Sequence, residues 1–285
     1  MRKMTISLSP GAIGVKATQE QAIEFAHYYG YEAVEPYGET LAGLSASQIK
    51  DLASKVAGQR LVWGSAGLTV EYRKDLATFE AGMAKFPAVA KALAAAGVKR
   101  VSTWIMPASE ELTYSQNMKQ HAERLRAIAT VCKDNGQRLG LEYVGPKTLW
   151  TSRRFPFLHT MAECKDLIGA IGTGNVGFVL DSWHWQMAGE KAAELKTLTN
   201  ADIVSVDLND APAGIAADQQ IDSQRELPLA TGVLDVKTFL NTLNELGCDA
   251  PVRCEPFNAA LRALPPEQAL AKVADAMKRA MALIA

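Results

Sequence analysis

Short apolar runs and amphipathic stretches alternate eight times along this chain. The apolar runs lie near residues 4–8, 32–36, 60–64, 99–104, 139–143, 177–181, 203–208 and 251–255. Each is strand-length, and several are continuously apolar, as strands buried on both faces require. The stretches between them carry helical spacing. Thr18-x-x-Gln21 reads as a capping box ahead of Ala22, Phe25, Ala26 and Tyr29 on one face. Ser45-x-x-Gln48 repeats the device before Ile49, Leu52, Ala53 and Val56. A third helix is predicted from about Asp75 to Ala96, with a kink or break at Pro87. A fourth runs from about Ser115 to Asp134 and stops at Asn135-Gly136. Others are predicted over 159–171, over 190–198, from Asp235 to Gly247, and from Pro266 to the end.

Strict alternation of strand and helix implies a parallel sheet with helices outside it. Eight units in 285 residues match a closed (β/α)8 TIM barrel in count and size. A doubly wound open sheet is the structural alternative. No linker or shift of composition divides the chain, so residues 1–285 read as one domain. Long loops follow strands at Pro107–Tyr114, Gly145–Phe157 and Asn209–Gly232. A barrel builds its site from the loops on that side, and long ordered loops are usually functional.

Composition narrows the partners. Thirty basic and 31 acidic residues give a formal net charge of −1, which offers no bulk attraction for nucleic acid or an anionic membrane. No apolar run is long enough to span a bilayer, and the N-terminus reads as a first strand rather than a signal peptide. Four cysteines without a C-x-x-C pair fit buried thiols in a reducing cytoplasm. A cytoplasmic protein, monomeric or homo-oligomeric, is the expectation.

The chemistry gathers where strands end. Gly177-Phe-Val-Leu-Asp-Ser-Trp-His-Trp185 opens as a buried strand and closes on Asp181 and His184 between two tryptophans. Three more runs end in an acid: Leu139-Gly-Leu-Glu142, Ile203-Val-Ser-Val-Asp207 and Pro251-Val-Arg-Cys-Glu255. In a barrel these strands are neighbours, so Glu142, Asp181, Asp207 and Glu255 form one arc of the mouth. Four carboxylates at close range repel and drive protons onto each other, and a divalent cation resolves the conflict. An all-oxygen shell favours Mg²⁺ or Mn²⁺ over Co²⁺ or Zn²⁺. Any one of these acids alone would read equally well as a loop cap or a surface ion-pair partner.

Other residues surround that arc. His184, three residues after Asp181, is read as a hydrogen-bond partner for a substrate hydroxyl or carbonyl rather than as a ligand. Arg225, in the long loop after the seventh strand, is a candidate substrate anchor, its alternative being a solvated loop charge. Glu35 and Trp104, at the ends of the second and fourth strands, are candidates for the pocket wall. Trp183 and Trp185 serve either the core or a sugar-like ring. Lys147, Arg153, Arg154 and His159 form either an anion-binding lid or a solvated basic surface.

Taken together, Gly-Leu-Glu142-Tyr-Val-Gly-Pro, Leu-Asp181-Ser-Trp-His184-Trp, Val-Asp207-Leu-Asn-Asp-Ala-Pro, the Arg225-Glu-Leu-Pro loop and Arg-Cys-Glu255-Pro-Phe resemble the xylose-isomerase-like barrels of the sugar phosphate isomerase/epimerase superfamily. The resemblance spans nearly the whole chain. It implies one divalent metal at Glu142, Asp181 and Glu255, with His184 and Arg225 on the substrate. The family's third ligand is a histidine, and this chain has Asp207 there. Leu-Pro-Leu-Ala-Thr-Gly also replaces the more usual Pro-Gly-x-Gly.

The chemistry so implied is proton transfer beside a carbonyl in a sugar or polyol, through an enediolate stabilised by the metal. Glu142 and Glu255, on opposite faces of the reacting carbon, are the expected acid–base pair. Return of the proton to the same carbon is epimerisation, to the neighbouring carbon isomerisation, and loss of water is an inosose-type dehydration. Two rivals share the fold. An endonuclease IV-like phosphodiesterase needs more histidines than the four present, and a degenerate barrel would bind a sugar without turnover.

Overall fold

A computed structural model describes residues 2–285. Its strands in chain order are β1 (Thr5–Leu8), β2 (Ala33–Val34), β3 (Val62–Trp63), β4 (Ala66–Gly67), β5 (Arg100–Trp104), β6 (Ala108–Ser109), β7 (Arg138–Glu142), β8 (Phe155–Pro156), β9 (Val176–Asp181), β10 (Ile203–Leu208) and β11 (Pro251–Cys254). Nine of them form one sheet in the order β3-β2-β1-β11-β10-β9-β7-β5-β4, all parallel. The two end strands, β3 and β4, are halves of one passage joined by Gly64-Ser65. Its first half pairs with β2 and its second with β5, so the sheet begins and ends on the same six residues. Counted this way there are eight barrel strands, and the predicted TIM barrel is the observed fold.

Glycine is needed at the corner of that split strand. A Cβ on Gly64 would lie 2.5 Å from the Ser7 hydroxyl oxygen, too close for both to keep their places. The bare backbone lets Gly64 donate to Val34 O at 2.9 Å before the chain turns to β5. Inside and around the barrel the apolar strand residues are buried. Leu139, Leu141, Leu180, Val206 and Val252 are each fully covered.

The helices start where their side chains cap them. Thr18 and Ser45 both close reciprocal capping boxes, with Gln21 and Gln48. Thr160 and Glu163 do the same for the Met161–Ile171 helix, two residues later than the sequence placed it. Helix Leu76–Ala95 runs unbroken through Pro87, against expectation. One backbone bond is forfeited there, but Phe86, Val89, Ala90 and Leu93 are buried on both sides of it, and packing outweighs one missing bond. The antiparallel pairing of β6 with β8, two segments in successive loops of the barrel, went unpredicted because two-residue strands have no period to read. Among the described residues no helix is long and apolar enough to cross a membrane.

Candidate functional site

β7, β9, β10 and β11 lie side by side, and register aligns their ends. Asp207 is paired with Asp181 on one flank and with Arg253 on the other. The result is a tight knot of acids. One carboxylate oxygen from each of Glu142, Asp181, Asp207 and Glu255 lies within 4.8 Å of all the others. A second set, Glu142, Asp181 and His184, meets the same spacing. All but Glu255 are buried. Of these, Glu142, His184 and Glu255 line a cavity of about 570 Å³ together with Glu35, Trp104, Arg225 and Arg253, and Asp181 and Asp207 do not.

Each acid is held differently. Asp181 caps the Ser182–Met187 helix by accepting from Trp183 N at 2.8 Å. Its carboxylate also accepts from both sides: Asn209 Nδ2 donates to the two oxygens at 3.0 and 3.1 Å, and Arg225 Nη1 donates to Oδ2 at 2.7 Å. Asp207 accepts a two-pronged contact from Arg253, Nε to Oδ1 at 2.6 Å and Nη2 to Oδ2 at 2.9 Å. Glu255 accepts from Arg253 Nη2 at 3.0 Å and lies 3.8 Å from Arg225 Nη1. Glu142 Oε1 is buried without any hydrogen-bond partner.

Charge explains why that oxygen matters. Glu142, Asp181, Asp207, Asp222 and Glu255 face only two guanidiniums, those of Arg225 and Arg253. Burial pushes the Glu142 carboxyl well above its ordinary value, and Glu255, Asp207 and Asp181 push it further. Burial lifts Asp181 to about 7 against the pull of Arg225. Burial also raises Glu255, with Arg253 opposing and Asp207 adding to the rise. Excess negative charge, an orphaned carboxylate oxygen and a compact all-oxygen donor set together fit a hard divalent cation.

His184 is neutral. Burial and the adjacent Arg225 depress its pKa to about 3. Gly145 N–H approaches Nδ1 at 3.4 Å and Arg225 Nη2 approaches Nε2 at 3.3 Å, while Nε2 is 3.8 Å from Glu142 Oε1. The backbone around it has no slack, since a Cβ on Gly145 would collide with the His184 carbonyl oxygen.

Arg225 is brought in by a clamped loop. Its Nε donates to Asp222 O at 2.9 Å and its Nη2 to Asp222 Oδ1 at 2.7 Å. Phe257 and Trp183 flank the guanidinium, with ring centroids 4.7 and 5.3 Å from Cζ. Asp210 fastens both ends of the loop by accepting from the backbone N–H of Ala211, Thr231, Gly232 and Leu234. Glu35 is half-buried on the cavity wall, where Ser9 donates to it and loss of solvent raises its pKa. Trp104 stands at the mouth, 41% exposed, with Arg73 stacked 4.4 Å over its ring.

Some sequence candidates lie elsewhere. Trp183 and Trp185 are core residues and do not line the cavity. Lys147 pairs with Asp218 at the surface, and Arg153 and Arg154 are exposed. His159 stacks on Trp150 at 4.6 Å. The basic lid is therefore a solvated face. Sequence reasoning missed Asn209, Asp222, Arg73 and Arg253. Asn209 and Arg253 could have been found by period 2, since each lies two residues from a named acid and so shares its strand face. Asp222 and Arg73 sit in loops with no such signal.

Inosose isomerase of Bacillus velezensis is 27% identical over 164 residues, 56% of this chain and 54% of that protein. The match thus spans about half of the relative's length. A xylose isomerase domain protein from Alicyclobacillus acidocaldarius superposes with a TM-score of 0.85 at 27% identity, covering 98% of this chain and 99% of the other. The IOLI protein, solved with a zinc atom, superposes with a TM-score of 0.80 at 18% identity over 98% of both chains. Residues 23–280 match the xylose isomerase-like TIM barrel family, and the chain belongs to it.

Proposed function

We propose that this protein is a divalent-cation-dependent isomerase or epimerase of a keto-sugar or keto-polyol. The observation that carries the reading is the convergence of Glu142, Asp181 and Glu255 at one end of a cavity where Glu142 Oε1 has no partner. The partial match to inosose isomerases supports a cyclic or open-chain polyol ketone as substrate.

Glu142, Asp181 and Glu255 would hold the cation. When bound, it supplies positive charge to the substrate oxygens on which an enediolate's negative charge develops. Glu142 and Glu255 come from strands on either side of β9 and β10, so they approach a substrate from two directions. One takes the proton from the carbon beside the carbonyl and the other returns it. Burial and the neighbouring carboxylates raise the affinity of both for protons in the metal-free site. His184, neutral and wedged between Arg225 and Gly145, orients a substrate hydroxyl or carbonyl. Arg225, Glu35 and Trp104 bound the substrate. The hydroxyls of Ser7, Ser9 and Ser205 along the cavity add donors and acceptors for a polyol.

The test is elemental analysis of protein purified without chelator, followed by incubation with an inosose and with D-fructose in D₂O. About one ion per chain and deuterium at one carbon beside the carbonyl are expected. Protein that holds no ion, takes up none on addition and labels neither ketone would remove the proposal.

A further inference from the structure

Arg253 is the cavity's unassigned cation. It stands two residues before Glu255, so strand alternation turns both side chains inward. The β10–β11 register sets it opposite Asp207, and the two close a fork of 2.6 and 2.9 Å. A guanidinium has five N–H donors. Nε spends its one on Asp207, and Nη2 spends two on Asp207 and Glu255. Nη1 has no acceptor among the described residues, and the side chain, 27% exposed, lines the cavity. Two charge-bearing donors are thus left unspent on a side chain that lines the space a substrate would fill.

Asp207 is correspondingly spent. It is fully buried, and both its oxygens are engaged by one guanidinium. That bidentate, charge-assisted pair is among the strongest hydrogen bonds a protein makes, and Arg253 is the sole donor to the Asp207 carboxylate among the described residues, whereas Asp181 is held by Trp183, Asn209 and Arg225 together. An imidazole in its place could not accept such a fork. The aspartate at position 207 and the arginine at position 253 therefore form one unit.

We propose that Arg253 is a substrate-binding residue that donates from Nη1 to a substrate oxygen, and that Asp207 positions Arg253 rather than ligating the cation. This rests on the reading of the cavity as a keto-polyol site. The cation is then held by Glu142, Asp181 and Glu255. The guanidinium gives the substrate a second, fixed positive charge on its β10–β11 side.

Isothermal titration with Mn²⁺ and, separately, with 2-keto-myo-inositol tests both halves on the parent, Asp207→Asn, Asp181→Asn, Arg253→Lys and Arg253→Ala. Asp207→Asn should bind Mn²⁺ within about threefold of the parent, whereas Asp181→Asn loses about 10- to 100-fold, the worth of one charged contact. Arg253→Ala should bind the keto-inositol about 10- to 100-fold more weakly. Added guanidinium ion should restore part of that loss, and a purely structural arginine would show no such rescue. If Arg253→Ala does not fold, the double variant Asp207→Asn/Arg253→Met removes the buried charge with its partner and takes its place. Asp207→Asn losing as much Mn²⁺ affinity as Asp181→Asn overturns the role given to Asp207. Keto-inositol binding unchanged in every Arg253 variant overturns the role given to Arg253. A parent that binds the keto-inositol through Arg253 but takes up no Mn²⁺ sinks the cation-dependent function and leaves this inference standing. A parent that binds neither overturns both.

Discussion

Arg225 Nη1 lies 2.7 Å from Asp181 Oδ2, and the two side chains are 1% and 0% exposed. The pair ties the loop after β10 to the end of β9. It also neutralises one acid in a crowded group.

Breaking a buried pair by removing one partner leaves the other charge uncompensated, at a cost of about 3–5 kcal/mol. Arg225→Ala should therefore lower the melting temperature on the order of 10 °C in a chain of this size. Arg225→Lys keeps the charge and loses the fork, so it should fall between parent and alanine. Millimolar Mn²⁺ should recover part of the alanine loss by replacing the missing positive charge. Differential scanning fluorimetry on the three proteins decides it, and an alanine variant that melts with the parent would show that the pair contributes nothing.

Proton chemistry separates the acids by role. Asp181→Asn and Glu142→Gln should each cut metal occupancy measured by elemental analysis. Glu255→Gln should retain more metal than either and still lose most of the deuterium uptake from D₂O. A product formed by Glu255→Gln at the parent's rate and with full labelling would exclude Glu255 from the exchange.

The barrel and most of this cluster were legible in the sequence. Asp181 and His184 stand out because a continuously apolar strand hands directly to polar groups, which only a strand end at a pocket explains. Glu142, Asp207 and Glu255 repeat that signature, and eightfold alternation made them neighbours. Arg253 was hidden by the same logic. It lies inside an apolar run, and reading the run as a strand drew attention to its terminal acid rather than to the residue two before it. The Asp222–Arg225 contact was not legible, because loop conformation follows from clamps such as Asp210 that leave no period. Pro87 misled because local propensity was weighed without the packing on both sides of it.

The raised carboxyls set a pH dependence with a definite sign. Asp181 moves from 3.8 to about 7 on folding, and Glu142 and Glu255 move upward from 4.5. At these three carboxyls the folded chain holds more protons than the unfolded chain, so their contribution to stability is greatest below the unfolded values and is lost as pH rises through the folded ones, while the buried neutral His184 and His121, pushed down to about 3 and about 4, act with the opposite sign below their unfolded value of 6.5. A tenfold difference in proton affinity between the two states is worth about 1.4 kcal/mol. Above the histidines' unfolded value only the carboxyls act, so metal-free protein should melt at a higher temperature at pH 6.5 than at pH 7.5. Excess Mn²⁺ displaces those protons and should narrow the gap, chiefly by raising the value at pH 7.5. Glu142→Gln should also flatten the profile. A metal-free melting temperature that climbs from pH 6.5 to pH 7.5 would contradict the raised values.

Asp210 supports the site without touching the cavity. Its carboxylate accepts from four backbone N–H groups, those of Ala211 at 2.8 Å, Thr231 at 2.9 Å, Gly232 at 2.7 Å and Leu234 at 3.0 Å. Its own backbone pairs with Glu226, next to Arg225, in both directions at 2.8 Å. Alanine at this position strips the side-chain acceptor from all four donors, and leaving even one buried donor unmet costs about 1–3 kcal/mol. Asp210→Asn keeps one acceptor oxygen and should lose about half as much stability. Because the loop carries Arg225 and Asp222, its loosening should weaken substrate binding more than it slows the bound substrate's turnover. The expected pattern is a raised KM with a smaller change in kcat, and faster cleavage within residues 212–224 under limited proteolysis. Equal and large losses in kcat with no new cleavage would place Asp210 in the chemistry itself instead of in the loop that delivers Arg225.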